Sequence, residues 1–369
     1  MNTSWAEYRE KLASCLCPPG DGVFTVNTAK ERKLALRQQL FGTDDVQTLW
    51  LESLDALPQA SQHAVILGIS SDCGGGILRG ANWGPLFLRS TLLEQQPAAR
   101  TLDLGDVRVI PHLLHDKYLN PETISNCQKA LYQDANSDYH VSPLSITEDI
   151  CDGFYAHFED KGIFGIGGDH SISYPLTKSY LKAKRARGIK TAIIHFDAHT
   201  DLLVERLGID LCFGSWCTHI LEFLPAPRNL VQFGIRSSGK PKQHWESTFG
   251  IKQHWAHEIR EKGAEAIATE VIAQLKADGV EELYVSFDID ALDAAFASAT
   301  GTPEENGMTP QEALTILSML KAEFAITAAD MMEIAPFTDS SLEGKSSSET
   351  TLKVGAEISA FLINAINHK

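Results

Sequence analysis

Six side chains in this sequence, His170, Asp197, His199, Asp201, Asp288 and Asp290, have the types and spacings that bind metal ions. Asp197-Ala198-His199-Thr200-Asp201 sets three potential ligands at alternate positions. On a strand they would share one face, whereas at a strand-to-loop turn they can address two adjacent ions. Carboxylate oxygens with a few imidazoles suit Mn²⁺, and can also hold Ni²⁺ or Co²⁺, whereas a closed structural zinc site more usually recruits thiolates. Alone, this motif also fits a surface loop of solvated acids. Asp288-Ile289-Asp290, directly after the apolar Leu283-Tyr284-Val285-Ser286-Phe287, weakens that bland reading, because crowded strand-tip carboxylates repel one another unless a cation lies between them. His170 alone would read as a core or capping histidine. It follows Gly167-Gly168-Asp169, where glycines let the backbone turn tightly, and precedes Ser171, which could cap a helix.

The elements that must carry these groups are short apolar runs separated by longer helical stretches. Strands are expected over His63 to Ile69, Gly162 to Ile166, Thr191 to Phe196, Leu230 to Ile235, Glu282 to Phe287 and Ala325 to Glu333. Helices are expected over Ser145 to Phe158, Tyr174 to Arg187, Gly263 to Ala277, Pro310 to Lys321 and Thr350 to Asn367. That alternation predicts an α/β fold, a three-layer αβα arrangement with a mostly parallel central sheet. The polar clusters begin where strands end, and the carboxyl ends of parallel strands form the ligand crevice. Residues 1 to 60 read as an N-terminal extension, broken at Cys17-Pro18-Pro19-Gly20, with capping-box spacing at Thr28-Ala29-Lys30-Glu31 ahead of a charged helix through Leu40. Residues 61 to 369 read as the catalytic domain.

Composition narrows the partners. With 369 residues, 43% of them hydrophobic, the chain can bury a large core. Asp and Glu outnumber Lys and Arg 48 to 32, a formal charge of −16. Such a surface disfavours nucleic acid and suits a cationic substrate. Seven cysteines without a C-x-x-C pair suggest a reducing cytoplasm. Met1 to Gly20 holds Glu7 and Glu10 without an apolar run of signal-peptide length, and no later stretch reaches membrane-spanning length, so neither secretion nor a membrane is expected.

Gly167-Gly168-Asp169-His170-Ser171, Asp197-Ala198-His199-Thr200-Asp201 and Ser286-Phe287-Asp288-Ile289-Asp290 with Ala299-Thr300-Gly301-Thr302-Pro303 resemble successive signatures of the ureohydrolases, the arginases, agmatinases and their relatives. Gly80-Ala81-Asn82-Trp83-Gly84-Pro85 resembles their early glycine-proline turn. The resemblance implies that His170 and Asp201 bind one divalent ion, His199 and Asp290 a second, and Asp197 and Asp288 bridge them. Two such ions, Mn²⁺ or Ni²⁺, would lower the pKa of a shared water and generate a nucleophile for a planar guanidino carbon. Asp201 would accept or relay a proton, and Glu333 would hold the permanently charged, forked guanidinium. The resemblance also implies a homo-oligomer, a trimer or hexamer.

Two departures bear on the substrate. Phe213, in Leu211-Cys212-Phe213-Gly214-Ser215-Trp216, stands where these enzymes usually carry a histidine, and phenylalanine transfers no proton. Leu202-Leu203 follows Asp201 where arginases use polar residues, and an apolar side chain offers nothing to the amino-acid end of arginine. Phe213, Trp216 and Trp83, with Leu203, would instead make a tight pocket in which cation-π contact favours a small guanidinium. The expected substrate is therefore guanidine or a substituted guanidine without a carboxylate, with agmatine or a guanidino acid as the alternative. A deacetylase-type amide hydrolase and a non-catalytic metal-bound partner subunit are the readings from other classes.

Overall fold

The computed structural model describes residues 3–23, 25, 27–43, 45–75, 78–338 and 347–369. Nine strands form one sheet: β1 Leu16–Cys17, β2 Ala64–Ile69, β3 Leu102–Val107, β4 Gly162–Gly167, β5 Thr191–Phe196, β6 Leu230–Ile235, β7 Lys252–Trp255, β8 Glu282–Asp288 and β9 Ala325–Met332. Their order is β1-β3-β2-β4-β9-β8-β5-β6-β7. Every pairing is parallel except β1 with β3. The crossover from β4 to β5 leaves two places that β9 and β8 later fill, so β4, β9, β8 and β5 stand side by side. These are the four strands whose tips carry the candidate residues.

Strand side chains alternate between two cores, as a period of two dictates. Ala192, Ile194 and Phe196 of β5 enter one apolar cluster and Ile193 the other. The first cluster is capped by helices Gly84–Gln95, Ala264–Asp278, Pro310–Glu323 and Ser348–Asn367, and the second by Trp5–Cys15, Val46–Ala56, Pro143–His157 and Ser173–Ala186. Both faces of the sheet are thus covered, as parallel strands require, and this is the expected three-layer fold. The expected strands and helices are all present, with ends shifted by a residue or two.

The described part of the first 60 residues is bonded into this architecture. Leu16 and Cys17 pair with Val107 and Asp106 and extend the sheet, the Tyr8 hydroxyl donates to the Ile150 carbonyl at 2.8 Å, and the Trp50 indole donates to that of Leu104 at 2.9 Å. β1, β3 and β7 escape the sequence pattern because they are short or polar. The expected charged helix is present over Lys30–Phe41, but Ala29, at φ 56°, is its N-cap and no side chain caps it, so the Thr28 capping box does not form. No helix among the described residues is long and apolar enough to cross a membrane.

Candidate metal centre

His170 follows β4 on a short turn of 3-10 helix, and its imidazole is fixed from behind. Nε2 lies 3.0 Å from the Ser286 hydroxyl, which itself donates to Asp330 at 2.8 Å. Asp330 also accepts from Ser173 at 2.9 Å and Tyr284 at 2.7 Å. With the Ser286 hydroxyl proton committed to Asp330, Ser286 accepts from Nε2–H, so a neutral imidazole presents its Nδ1 lone pair to the front. There Nδ1 faces carboxylate oxygens of Asp288 at 3.0 Å, Asp197 at 3.1 Å and Asp201 at 3.4 Å. A second imidazole, His199, faces Asp290 at 3.1 Å and Asp197 at 3.3 Å through its own Nδ1. Asp197 therefore lies between the two histidines. The six candidate ligands are brought to one place at the tips of β4, β5 and β8.

The acids gather more tightly than their own charge permits. Burial, then the neighbouring charges of Asp197 for Asp201 and of Asp290 for Asp288, push both carboxyls well above the usual range. Burial would raise Asp197 too, but bonds with His170, His195 and His199 hold it well below. Burial opposes protonation of His170 and His199, yet their carboxylate partners push both imidazoles well up. No lysine or arginine side chain pairs with these carboxylates among the described residues. Oxygen-rich, buried and unpartnered by lysine or arginine, the donor set fits divalent ions. Ligand atoms of His170, His195, Asp197 and Asp201 lie within 4.8 Å of one another, as do those of Asp197, His199 and Asp290.

Glu333 closes the site from the end of β9. Its backbone sits at φ 63°, fixed by its N–H on the Gly168 carbonyl at 2.9 Å. Oε1 accepts the His170 backbone N–H at 2.9 Å, which leaves Oε2 without a protein donor among the described residues. Burial, then the Asp288 and Asp169 charges, push this carboxyl well above its ordinary range.

The expected aromatic pocket is rearranged. Trp216 is fully buried beneath the cluster, where its indole N–H donates to Asp201 Oδ2 at 2.8 Å and its ring packs 5.0 Å from that of His170. Trp83 packs against Phe87 and Phe337 instead. Phe213 remains at a surface pocket of about 470 Å³, and Leu203 is 41% exposed on the loop after Asp201. Sequence reasoning missed Arg79 and Arg206, which line that pocket, and Thr302, which donates to Asp290 at 3.1 Å. It also missed His195, Ser286 and Asp330, whose signal was available: polar residues inside otherwise apolar strands.

Residues 62–363 match the Arginase family. The chain is 31% identical to an agmatinase of Bacillus subtilis over 75% of its length and 85% of that protein's. It is 29% identical to a mitochondrial guanidino acid hydrolase of Homo sapiens over 74% of its length and 71% of that protein's. The solved proclavaminate amidino hydrolase of Streptomyces clavuligerus superposes with a TM-score of 0.62 at 24% identity, covering 83% of this chain and 92% of that one. A mostly parallel sheet with an acid-histidine cluster at the carboxyl ends of its central strands defines a metal-dependent hydrolase fold. The chain belongs to the arginase family.

Proposed function

We propose that this chain hydrolyses a guanidino C–N bond with two divalent ions, Mn²⁺ or Ni²⁺, and releases urea or a urea-like product with ammonia or an amine. The observation that carries the reading is the convergence of His170, His199 and four buried aspartates beside Glu333. His170 and Asp201 would hold one ion, His199 and Asp290 the other, with Asp197 and Asp288 shared. When bound, the ions supply Lewis acidity that makes water nucleophilic near neutral pH. Glu333 Oε2 accepts from guanidinium N–H groups, while the His170 backbone N–H holds Oε1 and orients the carboxylate. Trp216 occupies Asp201 Oδ2, so the proton is held at Oδ1 and passed to the leaving nitrogen.

For the substrate's far end, the pocket after Asp201 supports an anion over a cation. It is lined by Arg79, Arg206, His112, His115, Tyr118 and Phe213 among others, with no acidic side chain among its described lining residues; Arg79 pairs with Asp72 behind it and burial pushes His115 down to about 4, so the unpaired positive charge is that of Arg206. Arg206 lies 5.0 Å over the Phe213 ring and has no carboxylate partner among the described residues. A guanidino acid therefore suits it better than agmatine, whose distal ammonium would meet like charge. A small carboxylate-free guanidine is the second reading, favoured by apolar Phe213 and Leu203. The test is urea release from guanidinobutyrate, guanidine, methylated guanidines, agmatine and arginine, with Mn²⁺ and Ni²⁺ separately. Arg206→Ala should raise KM for guanidinobutyrate and leave guanidine unaffected. Fastest turnover of agmatine would overturn the substrate assignment, and no urea from any of them would overturn the activity.

A further inference from the structure

Behind Asp197 runs a chain of buried polar side chains that no apolar strand needs for packing. His195, Gln232 and Gln253 sit on the adjacent strands β5, β6 and β7 as direct register partners, His195 opposite Gln232 and Gln232 opposite Gln253. All three are at most 1% exposed. Partners with only one possible role fix the direction of the bonds at both ends. The Trp255 indole can only donate, and does so to Gln253 Oε1 at 2.9 Å. Gln253 Nε2 therefore donates to Gln232 Oε1 at 2.8 Å. At the other end the Thr200 carbonyl can only accept, and takes one Gln232 Nε2 proton at 2.7 Å. The second amide proton points to His195 Nδ1 at 2.9 Å, much nearer than the Cys217 Sγ that lies 3.8 Å from the same amide nitrogen and 3.5 Å from Nδ1, so Nδ1 accepts as a lone pair. The proton of a neutral His195 is left on Nε2, 2.9 Å from Asp197 Oδ2.

We propose that His195 is a positioning residue, not a metal ligand, and that the chain from Trp255 through Gln253 and Gln232 locks it as the Nε2–H tautomer that clamps Asp197 Oδ2. Proximity alone groups His195 with His170, Asp197 and Asp201, but both of its ring nitrogens are already committed. A partner that orients a ligating carboxylate in this way typically changes metal affinity 10–100-fold. Gln232→Glu reverses the polarity at one end: an ionised carboxylate draws the proton to Nδ1 and turns a lone pair on Nε2 toward Asp197.

The inference rests on the reading that the cluster holds cations, yet the tautomer is measurable in metal-free protein, so failure of one is distinguishable from failure of the other. ¹⁵N-histidine NMR of the full chain, with the His195 signals assigned by their loss in His195→Gln, should show a protonated Nε2 and bare Nδ1, unchanged when Zn²⁺ is added. A proton on Nδ1, or a coordination shift at either His195 nitrogen with Zn²⁺, would overturn the proposal. In parallel, Mn²⁺ affinity should fall on the order of 10–100-fold in Gln232→Glu and His195→Phe. His195→Gln, whose amide can still donate to Asp197, should recover much of that loss. Equal affinities for wild type, His195→Phe and Gln232→Glu would also overturn it.

Discussion

Trp216→Phe tests whether the aromatic residue after Phe213 serves the substrate or the metal centre. The substitution keeps an aromatic ring beside His170 and removes the indole N–H that reaches Asp201 Oδ2 at 2.8 Å in a fully buried setting. A hydrogen bond to a charged group is worth about 1.5–3 kcal/mol, or roughly 10- to 150-fold in an equilibrium or rate. Asp201 is also held at φ 50°, an uncommon backbone conformation for a residue other than glycine. The expected outcome is a drop of that order in affinity for the ion at His170 and in kcat, with KM for the guanidino substrate little changed. The assay is Mn²⁺ titration against a chelator of known affinity, followed by urea release at saturating metal, with a thermal melt to check that the smaller ring leaves the fold intact. Raised KM with unimpaired metal binding would mean that Trp216 contacts substrate, and unchanged values throughout would mean that Asp201 needs no such donor.

Asp197→Ala and Asp288→Ala should each lose most bound metal and activity, since these acids contact the candidate ligands of both groups or of His170; metal analysis after dialysis showing full occupancy with normal turnover would refute their assignment. Asp330→Asn should weaken metal binding by about 10–100-fold without touching an ion, because Ser286 would no longer be committed as a donor to Asp330 and its grip on His170 Nε2 would slacken. Chelator competition reads that loss. Burial, reinforced by Lys242, pushes the His254 imidazole down to about 4 while its ring stacks on Phe233. Its native pKa is below the unfolded value, so its contribution is fully present above about pH 6.5 and is lost as the pH falls toward 4, on the order of 3 kcal/mol. Urea denaturation of wild type and His254→Phe across that window should show a shallower pH dependence for the variant.

The layout of the sheet was legible because its central strands are buried on both faces and therefore mostly apolar, as in Thr191-Ala192-Ile193-Ile194-His195-Phe196, where His195 is the polar exception. The cluster was legible because two acidic runs, Asp197-Ala198-His199-Thr200-Asp201 and Asp288-Ile289-Asp290, each directly follow such a strand, whereas either alone also fits a solvated loop. β1 was not, because two residues with the burial pattern of any packed loop carry no period, and their place is set by distant partners, the backbone of β3 and the Arg108 side chain. The role of Trp216 was hidden by distance: a loop of about a dozen residues returns the chain from Asp201, and no local pattern says that the indole comes back underneath the carboxylate and not over the pocket. The same loop brings Arg206 onto Phe213, and the pocket's other guanidinium arrives from Arg79 after β2. On the proposed reading, charge at the substrate's far end is set where two loops meet, and the metal chemistry at strand tips. The first depends on loop closure and the second on strand register, which is why one sequence reads clearly for the reaction and poorly for the substrate.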